Sequence, residues 1–135
     1  MIQRLSHANI FVLDQEEARK FYVEKLGFEV RTDAKMGPFR WLTVGPKGQP
    51  DLELILMDPS ICIKDEKVAE TVREMVKKGQ FGSGVFATAD CHATYKELKA
   101  KGVEFLGPPE EKFYGIEAIM KDNSGNWFSL TQRKK

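Results

Sequence analysis

Histidine and cysteine are scarce. The 135-residue chain holds two of each, His7 and His92, Cys62 and Cys91. Two imidazoles cannot make a site built on several of them. The cysteines stand far apart, without the Cys-x-x-Cys spacing of a zinc or redox motif. They read as free thiols of a reducing cytosol. Cys91 has His92 beside it, but sequence neighbours rarely face each other, so no thiol–imidazole nucleophile is expected. Surplus charge is missing as well. Lys and Arg number 21 against 20 Asp and Glu, a net charge of +1. Nothing in that balance draws the surface to nucleic acid or anionic lipid. The closing Arg133-Lys134-Lys135 reads as a solvated tail. No apolar run approaches a membrane span, and Met1 to Leu5 lacks the apolar stretch and cleavage site of a signal peptide. A cytoplasmic protein without a membrane partner is the expectation.

What is present is an ordinary globular balance, 41% hydrophobic and 30% charged, in a length that suits one domain. Ser6 to Leu13 reads as a strand, with Ala8, Ile10 and Val12 on one face and His7, Asn9 and Phe11 on the other. Asp14 caps a helix that carries Ala18, Phe21, Tyr22 and Leu26 at helical spacing, and Gly27 stops it. Strands follow at Phe28 to Arg31, Phe39 to Val44 and Asp51 to Met57, separated by Gly37-Pro38 and by Gly45 to Gly48. Lys64 to Val76 reads as a linking helix with an apolar stripe of Val68, Val72, Met75 and Val76.

The first pattern then returns. Ser83 to Ala89 is a strand, Asp90 starts a helix that ends at Gly102, and Gly102-Val103-Glu104-Phe105 echoes Gly27-Phe28-Glu29-Val30. Gly107-Pro108-Pro109 is a loop. Gly115 to Lys121 and Trp127 to Gln132 are strands around the turn Asp122 to Asn126. The chain is thus two βαβββ units joined by a helical linker. The expected boundaries are 1–57 for the first module, 58–80 for the linker and 81–135 for the second. Neither module is long enough to bury its sheet alone.

In this order of elements the chain resembles the vicinal-oxygen-chelate superfamily, which unites glyoxalases, bleomycin-resistance proteins and extradiol dioxygenases. The resemblance rests on the His7–Asp14 strand leading into Ala18-Arg19-Lys20-Phe21-Tyr22, on Leu26-Gly27-Phe28, and on Leu52-Glu53-Leu54. In the second copy it rests on Asp90, Gly102-Val103 and Asp122-Asn123-Ser124-Gly125-Asn126. It implies an α+β fold of two tandem modules that form an open, eight-stranded cup, usually as a homodimer. Members that use a metal hold a divalent ion in the cup, and zinc, nickel, iron and manganese are the candidates here. Its ligands are a residue early in the first strand and a carboxylate on the last strand of each module.

Carried onto this chain, the resemblance makes His7 and Glu53 the first pair of metal ligands. The same count puts Ser83 and Ser129 at the second pair, and a neutral hydroxyl is a poor ligand for a divalent ion. Asp51, Tyr114 and Glu117 are the remaining side chains with suitable chemistry to help. His92, at the start of the second helix, should be exposed. The site is therefore expected to be partial. Strand parity puts Phe11 on the His7 face, Phe39 and Trp41 on one face of the third strand, and Trp127 and Ser129 on one face of the last, with Tyr114 just before its neighbour. Phe86 turns the other way, toward the helix. Such rings in a concave fold suit a small, hydrophobic ligand with a few polar groups.

Two functions stand open on this reading. One is a binding protein like the bleomycin-resistance branch, which takes a small molecule into the cup without chemistry. The other is a divergent metal-dependent lyase, isomerase or dioxygenase in which His7 and Glu53 hold an ion and Glu53 takes part in catalysis. Loss of the second ligand pair favours the first, and the retained His7 and Glu53 favour the second. A purely structural role ranks third, since nothing exposed advertises one.

Overall fold

A computed structural model describes all 135 residues. Four strands form a first sheet: β1 (His7–Phe11), β2 (Glu29–Met36), β3 (Phe39–Gly45) and β4 (Glu53–Met57), in the order β1-β4-β3-β2. Helix α1 (Gln15–Lys20) follows β1 and widens over Phe21–Lys25 into a wider turn closed by Leu26 N donating to Phe21 O at 3.2 Å. The linker holds a short α2 (Pro59–Cys62) and a longer α3 (Glu66–Lys77). The second sheet contains β5 (Gly82–Ala87), β6 (Glu104–Phe105), β7 (Glu110–Lys112), β8 (Gly115–Lys121) and β9 (Trp127–Arg133), with α4 (Cys91–Ala100) after β5. No helix is long and apolar enough to cross a membrane.

The repeat shows in the pairings. β1 lies parallel to β4 and β5 lies parallel to β9, while the other neighbours are antiparallel. Each helix opens on an aspartate. Asp14 accepts from Glu17 N at 2.9 Å and Asp90 from Ala93 N at 3.0 Å, each satisfying an amide the first turn leaves without a partner. One difference from the expected eight strands lies in the second sheet, where β6 and β7 both pair with β8. The break between them is Gly107-Pro108-Pro109, because proline offers no N–H to a ladder.

The two sheets are separate and open, and they share one core. Ile10, Val12, Leu42, Val44 and Leu56 of the first and Ala118, Met120, Phe128 and Leu130 of the second belong to a single buried cluster with α1 and α4. Aromatic rings carry the join: Tyr22 meets Phe128 edge-on, Phe28 meets Phe86 edge-on, and Phe86 stacks on Phe128 at 4.4 Å. Phe86 thus faces the helices, as its parity requires. Burying a ring of this kind stabilises by about 2–3 kcal/mol.

A buried carboxylate pins the modules together. Asp122 begins the β8–β9 turn and accepts from the backbone N–H of Ser124, Gly125 and Asn126, at 2.9 to 3.0 Å. Its other oxygen accepts from Tyr22 Oη at 2.7 Å and from the Asn126 amide. Asn126 in turn donates to Phe11 O at 2.7 Å, and Leu13 N donates to Ser124 Oγ. Burial, with Asp122 beside it, raises the Tyr22 phenol well above its ordinary value, so it stays a donor.

Candidate ligand site in the cup

Cross-strand partners put their side chains on the same face of a sheet. The face away from the helices carries His7, Phe11, Trp41, Thr43, Glu53 and Ile55 in the first sheet. In the second it carries Val85, Glu117, Ile119, Trp127, Ser129 and Thr131. These are the two cup faces.

In the first sheet, register brings His7 directly opposite Glu53. Their side chains approach to 3.2 Å, Nε2 to Oε2, and both are partly exposed. The other Glu53 oxygen accepts from Thr43 Oγ1 at 2.6 Å and more distantly from Thr32 Oγ1 at 3.4 Å. His7 Nδ1 lies 2.9 Å from Ser6 Oγ. The Thr43 hydrogen bond holds Glu53 below the usual carboxylate range; partial burial opposes this and His7 adds to it.

The second sheet differs. Its carboxylate, Glu117, sits on the penultimate strand. One oxygen accepts from Ser129 Oγ at 2.5 Å and the other from Tyr114 Oη at 2.6 Å. Ser129 Oγ also lies 2.6 Å from Thr131 Oγ1. The Ser129 bond, then the Tyr114 bond, holds Glu117 below the usual range as well. Two ionised carboxylates therefore line the cup at neutral pH.

Ser83 and Ser129 do not face each other as His7 and Glu53 do. The pairing of β5 with β9 slips between Gly82 and Gly84, so Val85 stands opposite Ser129. Glycine at both ends makes the bulge practicable. A Cβ on Gly82 would lie 2.3 Å from the Trp127 ring, and Gly84 has φ of +150°. Counting back from Asp90 cannot detect that slip.

The donor set does not fit a resident divalent ion. Nowhere in the chain do three or more His, Cys, Asp or Glu side chains converge as a metal site. A catalytic or structural ion takes three or four such ligands. Here the two oxygens of Glu53 go to an imidazole and to hydroxyls, and Ser129 is spent on Glu117 and Thr131. His92 is exposed on α4. Cys91 is buried with its thiol 3.4 Å from Leu130 O, and burial raises its pKa, which suits a core residue.

The predicted ligand-binding residues fall into two groups. Phe11 and Trp41 are partly buried on the first cup face, and Phe39 is exposed at the β2–β3 hairpin end. Phe11 packs toward Phe81, the residue just before β5, at 6.3 Å between ring centres. Tyr114, Trp127 and Ser129 belong to the second face, where only Tyr114 and Ser129 meet, through Glu117. A cavity of about 750 Å³ opens at the end of the second sheet, lined by Ala87, Gly115, Thr131, Lys112, Arg133 and Lys135 among others. It touches none of the predicted rings, nor His7 or Glu53. It reaches the second polar cluster through Thr131, the cross-strand partner of Glu117. Arg133, Lys134 and Lys135 are exposed, as a solvated tail should be, and also border this cavity: β9 runs on to Arg133, and Lys134 N donates to Tyr114 O, which extends the β8–β9 ladder by one rung.

The model of the Glyoxalase/Bleomycin resistance protein/Dioxygenase superfamily matches residues 4–130. The chain belongs to that superfamily. Among solved members, UcmS2 is 46% identical, with a TM-score of 0.91 over 97% of this chain and 98% of that one. TnmS3, an antibiotic binding protein from Streptomyces sp. CB03234, is 30% identical, with a TM-score of 0.77 over 98% of each chain. YurT of Bacillus subtilis (strain 168) is 35% identical over 126 residues, 93% of this chain and 95% of that protein. The resemblance read from the sequence is thus correct at the level of superfamily and fold. From the sequence, Glu117 is only a possible metal helper beside Asp51 and Tyr114. Its alternation with the core residues Ala118 and Met120 is the signal for its place in the cup, but its bond to Ser129 depends on the β8–β9 register.

Proposed function

We propose that this chain is a binding protein that takes a small, largely aromatic molecule into its cup, without a resident metal ion and without chemistry. The observation that carries the reading is the polar wiring of the cup. Both carboxylates are held by hydroxyls or imidazole, and neither has the further His, Cys, Asp or Glu partners that an ion would need. The cup-facing rings, Phe11, Trp41, Trp127 and Tyr114, suit an apolar ligand, with Phe39 at the rim. The likeness to TnmS3, described as an antibiotic binding protein, supports the same class of role.

The cup is proposed to close between two copies. Within one chain the shared core uses the helix-covered faces, while β1 and β5 end their sheets with free edges. Val85 on β5 is 68% exposed, which is unusual for an apolar cup residue. The test is tryptophan fluorescence of Trp41 and Trp127 during titration with a panel of aromatic antibiotics, run with and without chelator. Saturable quenching unaffected by chelator is expected. Binding that vanishes with chelator and returns with zinc, nickel, iron or manganese would favour the divergent enzyme instead. The specific observation on that side is the surviving 3.2 Å contact of His7 with Glu53.

A further inference from the structure

Glu117 does not follow the ligand pattern from which the cup was read. It lies on β8, one strand before the last, yet it is the most elaborately held side chain of the second cup face. Each of its oxygens accepts one short hydrogen bond, from Ser129 and from Tyr114. A carboxylate has room for about four such bonds, so each oxygen keeps an open acceptor site. Ser129 and Thr131 are buried, which fixes one side of the arrangement. No basic side chain forms an ion pair with Glu117. Lys112, the one cation that helps to lower the Glu117 pKa, pairs with Glu110 at 3.1 Å. Beside Glu117 a second cavity of about 200 Å³ is walled by Leu106, Pro108, Ile119 and Lys112. Thr131, its ladder partner, borders the larger cavity. The carboxylate thus lines the smaller hollow, pre-oriented and in no ion pair, with Lys112 as the one cation acting on it from a distance.

We infer that Glu117 selects the ligand: it accepts a hydrogen bond from a hydroxyl or amino group on the ring system and turns away anionic molecules of the same shape. The inference rests on the binding role proposed above and adds the ligand's chemistry to it. A hydrogen bond to an ionised acceptor is roughly twice as strong as a neutral one, and a carboxylate left facing another carboxylate loses by repulsion and desolvation. Glu53 on the first face repeats the preference, because it too is ionised. The cations Arg133, Lys134 and Lys135 stand at the exposed rim, where water and salt screen them. They are therefore weaker determinants than the half-buried acid.

Three probes of one ring size separate the terms: 2-naphthol carries a donor, 2-methoxynaphthalene carries none, and 2-naphthoate carries a negative charge. Binding to the full-length protein is read by ligand-observed NMR at millimolar concentration, which detects weak complexes. The expected order is naphthol first, the methoxy compound about tenfold weaker, and naphthoate weakest. In Glu117→Gln that order should collapse, with naphthol losing about tenfold and naphthoate gaining. Tyr114→Phe, which leaves the charge in place, should keep the order. Fold integrity is checked by near-ultraviolet circular dichroism, and a merely structural Glu117 would weaken all three probes alike. Equal binding of the three to the native protein, or naphthoate binding best, would overturn the selector and leave the binding role standing. Failure of every probe to bind would overturn both.

Discussion

In the first module the cup carboxylate meets an imidazole; in the second it meets only hydroxyls. The loops that follow the middle strands differ in the same way. Between β3 and β4 the chain is exposed and is tied by Arg31 to the carbonyls of Pro46 and Gln49. Between β8 and β9 it is buried, and Asp122 ties it to Tyr22 of the other module. The two βαβββ modules share the strand order and the helix caps but differ in where their polar groups stand. In the second module one acid, Asp122, is a structural anchor, and the cup acid, Glu117, lies on the strand before the last. What survives in both copies is an ionised carboxylate held by a hydroxyl one strand away.

That contrast can be broken at its anchor first. Asp122→Ala should cost about 3 kcal/mol or more in urea unfolding, because three backbone amides and the buried Tyr22 hydroxyl lose their acceptor. Asp51→Ala in the exposed loop of the first module should change stability by less than about 0.5 kcal/mol. Equal costs would erase the distinction between the loops. Tyr22→Phe comes next, at about 1–2 kcal/mol, since it removes one donor and leaves Asp122 its other partners.

The two cup carboxylates then sharpen the comparison through pH. Both are held below the ordinary value of 4.5 when folded. Their contribution to stability is therefore complete above that value and is lost as pH falls through the folded one. Unfolding midpoints should begin to drop as pH falls below about 4.5 and keep dropping until both folded groups are protonated. Thr43→Val should raise the Glu53 titration and leave Glu117 unmoved, and Ser129→Ala should do the reverse, both read by NMR. Smallest of all, Glu53→Gln should shift stability by under about 1 kcal/mol at neutral pH, since the amide can still accept from Thr43 in a partly exposed site.

Much of this architecture was legible beforehand. The repeated Asp caps, the glycine helix stops and the period-two strands were enough to order both modules; parity turned Phe86 into the core, and the family resemblance brought His7 together with Glu53. What escaped were features set by register. The slip at Gly82–Gly84 leaves Ser83 without a partner in the β5–β9 register and places Val85 opposite Ser129. The partners of Glu117 come from Tyr114, ahead of its own strand, and Ser129, on the next one, and no local pattern announces that meeting. Nor did the C-terminal run of charge disclose that it walls a cavity, because that depends on where β9 ends relative to Gly115.

The central claim is that the cup binds without a resident metal ion, and metal content tests it most directly. The protein would be purified without chelator or affinity tag and assayed for divalent metals, alongside His7→Ala. The account predicts metal far below one ion per chain in both proteins. Near-stoichiometric metal in the native protein, lost in His7→Ala, would contradict it and make His7 and Glu53 the core of an enzyme's site.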